Sequence, residues 1–447
     1  MKKLLSVLLA LLMIFTLVGC GSKPAPEPTP ADEGGEGKVL NIWTWNDEFW
    51  NFLCKYYADD PVEDDAFICK KGDVTIKRTT YVSDNLAYQD ALDAALLAQA
   101  DAPADEKVDM FLAESDYIIK YVNSDATANI KDMGVTDFSN TYQYTVQAAT
   151  DANGVVNGVS FQCCPAALIY RRSIAKEVLG TDDPAEVQNA LDSWAKFDEV
   201  AAVAKEKGYY MVATPVDFYR VYSNNTTSPW VVDGKLHIDD AIQAWMDQAE
   251  AYIANGYAAY PAGVWDAEKQ DEMFASGKSM CFFGPAWYFN FCMGNAQDPE
   301  KGCMGDWAIC KGPQAHFWGG TWMLAATGTD NPTMVADIMN TFINNEDVCE
   351  KLVRNEAQFS NNQVVNNKIA QDASYGSEFL GGQNDTAVFA ELAKDIRFQN
   401  VTPYDQGCNE SIQNAYLEYL TGEVDKDTAM ANFRNNVHQL YPGLSVE

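Results

Sequence analysis

Strand and helix patterns that alternate from Val39 onward, in a folded portion running from residue 38 to 447, predict an α/β protein of two domains with parallel sheets covered by helices on both faces. The length matters because a single hydrophobic core stops growing well short of it. Val39, Leu40, Ile42 and Trp43 read as the first strand. Asn46 or Asp47 then caps a helix whose apolar face is Phe49, Trp50, Phe52, Leu53 and Tyr56. Residues 74–81, rich in β-branched side chains, form a second strand, and a helix opening at Ser83 or Asp84 carries Leu86, Leu92 and Leu96. Residues 108–113 form a third strand.

Residues 155–171 read as two extended pieces broken at Pro165, followed by a helix from Ser173. Ser193 opens a helix that ends at Gly208, and residues 209–213 return as a strand. Helices follow near 239–255 and 266–276, then a strand at 279–283 and helices near 332–343, 386–395, 408–421 and 427–439. No internal repeat is present.

The amino end has a different character. Lys2 and Lys3 precede an apolar run from Leu4 to Val18, the order of a secretory signal over residues 1–19. The run is short for a membrane span. Its end, Leu17-Val18-Gly19-Cys20, resembles a bacterial lipoprotein box, which implies diacylglycerol on the Cys20 thiol and cleavage just before it. Two buried acyl chains, at about 0.8 kcal/mol per carbon, hold a protein at a bilayer surface. Residues 20–37 then bring Pro24, Pro26, Pro28 and Pro30 ahead of an acidic, glycine-rich stretch, the composition of a linker that buries no core.

The 31 basic and 64 acidic residues give a net charge of −33, which becomes −35 once Lys2 and Lys3 leave with the signal. Such a chain repels nucleic acid and polyanions. Neutral and cationic small molecules remain as ligands. The chain has 11 cysteines, so ten remain beyond Cys20; they show no C-x-x-C spacing, and the 3 histidines do not join them, so no metal site is expected. Buried thiols and disulfides both remain open.

Ser276-Gly277-Lys278-Ser279 fails as a phosphate loop because Glu272 occupies the place of the required glycine. No dinucleotide, zinc-protease or serine-hydrolase signature occurs, and no cofactor is expected. What stands out is the chemistry at three strand ends: Trp45, Asn46, Asp47 and Glu48 after the first, Ser83, Asp84 and Asn85 after the second, and Glu114 after the third. In open α/β sheets ligands lie beyond those ends.

Six segments in order carry a family resemblance: LNIWTWNDE (40–48), VDMFLAESDYIIKYV (108–122), GVSFQCCPAALIYRRSIAKEVLG (158–180), SWAKFDEVAAVAKEKG (193–208), MFASGKSMCFFGPAW (273–287) and GGTWMLAATGT (319–329). Together they resemble the extracellular solute-binding proteins of bacterial carbohydrate ABC importers, similar in plan to maltodextrin-binding proteins. Cys163 and Cys164 depart from that pattern, standing where the family has small or polar residues. The resemblance implies a two-lobed fold with three hinge crossings and the ligand in the cleft between lobes. Lobe one would comprise 38–163 and 322–396, and lobe two 165–315 and 403–447.

It also implies a monomer that hands a sugar, an oligosaccharide by preference, to permease subunits, with no catalysis. Sugar faces pack on aromatic rings and hydroxyls need carboxylate and amide partners. The residues implied are Trp45, Asn46, Asp47, Glu48, Asn85, Glu114, Gln162, Trp287, Thr321 and Trp322. Tyr219, Trp230, Trp265, Asp385 and Asp405 form a second tier, while Trp43, Trp194 and Trp245 are assigned to the core. Two rivals share much of this chemistry: the same scaffold binding a polyamine or peptide, and a surface glycoside hydrolase, whose two acids need no fixed spacing.

Overall fold

The β-branched and apolar runs become neighbouring strands of one sheet. In a computed structural model describing residues 37–59, 67–83, 86–260, 263–266 and 268–446, β1 (Val39–Thr44) lies parallel to β3 (Val74–Thr80) on one side and β4 (Met110–Glu114) on the other. The signal, Cys20, the linker through residue 36, Asp84 and Asn85 lie outside the described residues. β2 (Ile68–Lys71) pairs antiparallel with β3, β13 (Thr321–Ala325) lies antiparallel to β4, and β5 (Gly158–Ser160) closes the order β2-β3-β1-β4-β13-β5. Leu40, Ile42, Ile76, Met110 and Leu112 are buried with Phe49, Trp50, Phe161 and Phe342 in the core of this lobe.

A second sheet takes the order β11-β6-β10-β7, built from β6 (Pro165–Arg171), β7 (Tyr210–Val212), β10 (Ser279–Gly284) and β11 (Trp307–Cys310). A short β12 (His316–Phe317) pairs beside β6, and β8 (Val231–Val232) with β9 (Lys235–Leu236) forms a separate small hairpin. Pro165 stands first in β6, where its missing N–H costs no ladder bond.

The sheets are mixed rather than parallel: β10 is parallel to β7 but antiparallel to β6, and β11 is antiparallel to β6. Re-entry of the chain brings β13 antiparallel into the first sheet, whereas β2 and β3 form a local hairpin and β6, β10 and β11 lie on one continuous stretch of the second lobe. Ser193 caps its helix as expected, accepting from the Lys196 N–H, and Asp239 caps another through the Ala241 N–H, whereas Asp47 at the start of helix Glu48–Tyr56 makes no cap hydrogen bond. The helix expected from Ser83 starts later, as Ala87–Leu97, because Leu86 takes a left-handed backbone at φ 64°.

The chain passes between lobes at 161–164, again between β12 and β13, and a third time ahead of helix Asp385–Leu392. That third passage corrects the expectation that lobe one continues to residue 396. Phe389 and Leu392 are buried with Phe282 and Trp307 of the second sheet, and the Gln383 side chain exchanges two 2.8 Å hydrogen bonds with the Ile309 backbone at the edge strand. Apolar burial and an edge-strand pairing together hold this segment on lobe two. All ten cysteines among the described residues are free thiols. No helix among the described residues is long and apolar enough to cross a membrane.

Candidate ligand-binding cleft

Glu48 opens helix Glu48–Tyr56 directly after β1, so its side chain emerges at the carboxyl end of the first sheet. Its carboxylate accepts from Gln162 Nε2 and from Gln358 Nε2, both at 2.9 Å. Gln162 lies on the first crossing and Gln358 just beyond helix Glu346–Glu356, so two amides from distant parts of the chain aim one acid. Burial outweighs these donors and raises the Glu48 pKa to about 7. Cys164 Sγ donates to Gln162 Oε1 at 2.9 Å, beside the Glu48–Gln162 pair, while Cys163 is buried in the core with Tyr142 and Tyr144.

Glu114 ends β4 opposite Thr321 of β13. It accepts from Ser115 Oγ and from the Asp116 N–H, both at 2.7 Å. Burial chiefly, and then the neighbouring Asp116 charge, push its pKa to about 8 against the pull of Arg220. A Cβ on Gly319 would lie 3.3 Å from Trp287 Nε1 and 3.5 Å from Glu114 Oε1, and Gly319 and Gly320 take φ of 74° and 118°. Glycine there lets the 318–320 turn run between the acid of one lobe and the indole of the other.

Trp287 follows β10 and joins an aromatic wall. Trp265, 57% exposed, stacks on it at 6.2 Å and 13°, while Trp318 meets it edge-on at 5.2 Å and 72°. Trp287 Nε1 donates to the Trp318 carbonyl at 3.2 Å. On lobe one, Trp45 is held edge-on by Tyr88 and Tyr117. A cleft of about 1230 Å³ opens beside Trp45, Asn46, Glu48, Asn51, Phe291 and Gln358.

The structure places the expected site residues in different settings. Trp45, Asn46, Asp47 and Glu48 line the opening; Gln162 links Glu48 to Thr321, and Trp287, with Trp265 stacked on it, meets Glu114 across Gly319. Asn46 Oδ1 also accepts from the Glu48 N–H, and Asp47 pairs with Arg78 at 2.5 Å, so both work locally as well. Asp405 lies at the far flank, accepting from the Thr402 N–H at 2.8 Å.

Trp322 does not line the cleft: adjacent residues on a strand face opposite sides, so with Thr321 toward Gln162, Trp322 turns into the core and donates to the Thr145 carbonyl at 2.8 Å. Trp230 and Tyr219 are likewise core, both donating to Asn409 Oδ1. Asp385 is buried at the start of its helix, accepting from the Thr386 N–H, and lines neither the cleft nor the cavity at its far flank. Sequence reasoning missed Trp318, Gln358 and the Asp116–Arg220 pair; only the Trp318-Gly-Gly turn offered a local signal.

Three acids, Asp217 buried and Glu48 and Glu114 half-buried, give this region a pH signature. Glu48, Glu114 and Asp217, the last also pushed up to about 8 by burial, bind protons more tightly folded than unfolded. Their contribution to stability is complete below the ordinary carboxylate range and is lost as pH rises through 7–8. His316, pushed down to about 4, acts oppositely and only below its ordinary value of 6.5. Melting temperatures measured from pH 6.5 upward should therefore fall toward about pH 8.5. A curve that rises over that window would contradict the burial of these acids.

The comparisons agree with this architecture. A search of curated protein sequences finds no match. Solved structures that share the fold include three binding proteins. One is an extracellular solute-binding protein family 1 member, with a TM-score of 0.72 at 17% identity over 90% of this chain and 99% of that one. Another is the galacto-N-biose-/lacto-N-biose I-binding protein from Bifidobacterium longum in complex with lacto-N-biose, at 0.68 and 13% over 93% and 100%. The third is an ABC substrate-binding protein from Listeria monocytogenes in complex with cycloalternan, at 0.64 and 14% over 90% and 99%. The family model for bacterial extracellular solute-binding proteins matches residues 65–373. With two α/β lobes, three crossings and an acid-and-tryptophan cleft between them, the chain belongs to the bacterial extracellular solute-binding proteins.

Proposed function

We propose that the protein captures a neutral oligosaccharide outside the cytoplasmic membrane and delivers it, without catalysis, to the permease of an ABC importer while held to the membrane through Cys20. The observation that carries the reading is the pairing of half-buried Glu48 and Glu114 with the Trp265–Trp287–Trp318 wall. Rings take the C–H faces of a sugar, and acids and amides take its hydroxyls. Structural neighbours in complex with lacto-N-biose and cycloalternan support the ligand class. Trp45, Asn46, Glu48, Glu114, Gln162, Thr321, Trp265 and Trp287 are the proposed contacts, joined by Trp318 and Gln358.

Charge distinguishes this reading from the polyamine rival. With its pKa near 8, Glu114 holds a proton at neutral pH and offers an O–H to a sugar oxygen, whereas a polyamine needs the ion. Calorimetry across pH 6–9 separates them: glycan affinity should fall as pH rises through about 8 and Glu114 loses its O–H, while a polyamine should bind more tightly. Incubating the protein with any glycan that binds should release no new reducing ends on chromatography; release abolished by Glu114→Gln would favour the hydrolase. Cys20→Ala should move the chain from the membrane fraction to the soluble one or block its processing. Unchanged membrane association would defeat the anchor.

A further inference from the structure

The two flanks of the cleft differ. One flank is the opening beside Asn51 and Phe291, about 1230 Å³ in volume. From there a continuous line of contacts runs inward: Glu48 to Gln162, Gln162 to Cys164, Cys164 to Trp287, and Trp287 across Gly319 to Glu114. It ends at Asp116, whose N–H binds Glu114 and whose carboxylate takes both Arg220 nitrogens, at 2.6 and 2.5 Å.

Asp116 belongs to lobe one and Arg220 to lobe two, so this fork joins the lobes. Each side chain is only 17% exposed, and the Arg220 guanidinium lies over the Trp318 ring at 5.9 Å. A second contact between lobes, Gln89 Nε2 to Gln406 Oε1 at 3.1 Å, is buried. Beyond the ion pair remains a cavity of about 30 Å³ beside Asp405 and Asn400, room for a water or two but not for a pyranose ring.

We infer that the cleft is blind at the Asp116–Arg220 end, so that the protein grips the terminus of a linear glycan whose remaining units leave through the open flank. The inference rests on the carbohydrate reading and adds that chain ends are recognised, rather than internal segments or rings. A sugar running through the cleft would have to break a bidentate pair and leave Asp116 beside Glu114 without its cation, a costly exchange in a buried place. A terminal sugar leaves the pair intact and stacks against a wall that the pair itself props through Trp318.

The test uses the full chain and linear tetrasaccharides of β-galactose, α-glucose and β-mannose, measured by calorimetry. Whichever binds is then measured with a bulky fluorophore on the reducing end, on the non-reducing end and on both, and as a cyclic form of the same linkage where one exists. One singly tagged form should bind like the untagged sugar, and the other should lose at least about 100-fold, as expected for an enclosed end. Doubly tagged and cyclic forms should not bind. Arg220→Ala should restore the excluded tagged form to within about tenfold of the untagged sugar; should that variant not fold, the tagging series on the natural protein still decides. Equal binding of both singly tagged forms, loss of both, or tight binding of a ring would overturn the blind end while leaving carbohydrate binding intact. Failure of every untagged glycan to bind would overturn the carbohydrate reading and this inference with it.

Discussion

Trp287→Ala should weaken binding of the transported sugar by about 2–4 kcal/mol, roughly 30- to 1000-fold in Kd, while moving the melting temperature of the protein without ligand only slightly. The indole stacks against Trp265, which is itself 57% exposed, so the wall borders solvent and its loss opens little cavity in the core. The binding loss has a separate origin. Closure of two lobes gains only from contacts that are absent when they part. Trp287 from lobe two and Glu114 from lobe one approach the same turn and can share one sugar. Calorimetry paired with thermal melting checks both halves. Intact affinity, or a melting temperature lowered by many degrees, would make Trp287 a packing residue.

Trp322→Ala should do the reverse, costing about 3–5 kcal/mol of folding stability and leaving the affinity of the folded fraction near its natural value. This tryptophan has no exposed surface and packs among Tyr88, Phe111, Tyr117 and Tyr121. Truncation opens a cavity in a tightly packed cluster and strips the Thr145 carbonyl of its donor. Denaturant unfolding measures the cost. A variant as stable as the natural protein but unable to bind sugar would return Trp322 to the cleft.

The contrast between these two tryptophans shows where the sequence is readable. Each follows a glycine turn, Trp287 after Gly284-Pro285-Ala286 and Trp322 after Gly319-Gly320-Thr321, and both are expected platforms, Trp287 the more strongly for its Gly-Pro turn after a strand. Strand register separates them: Trp322 sits inside β13, where alternation sends it behind the sheet, whereas Trp287 lies past the end of β10. Trp230 and Tyr219 misled for a related reason, since both point inward to Asn409, a residue nearly two hundred positions away.

Periodicity, capping residues and the chemistry at strand ends are local, and these made the alternating elements, the cap of Ser193 and the cleft acids Glu48 and Glu114 legible in the chain. Glu48 and Glu114 are candidates in the sequence because each stands at or just past the carboxyl end of a strand, the ligand side of an open sheet. Tertiary structure alone decided what those acids are bonded to, since Gln162 and Gln358 lie 114 and 310 residues from Glu48. It also decided the side of the cleft that is shut, through Asp116 and Arg220, 104 residues apart. Such pairings depend on the packing of whole lobes, in which burial sets both the partner of a polar group and its affinity for a proton. No window along the chain contains that information.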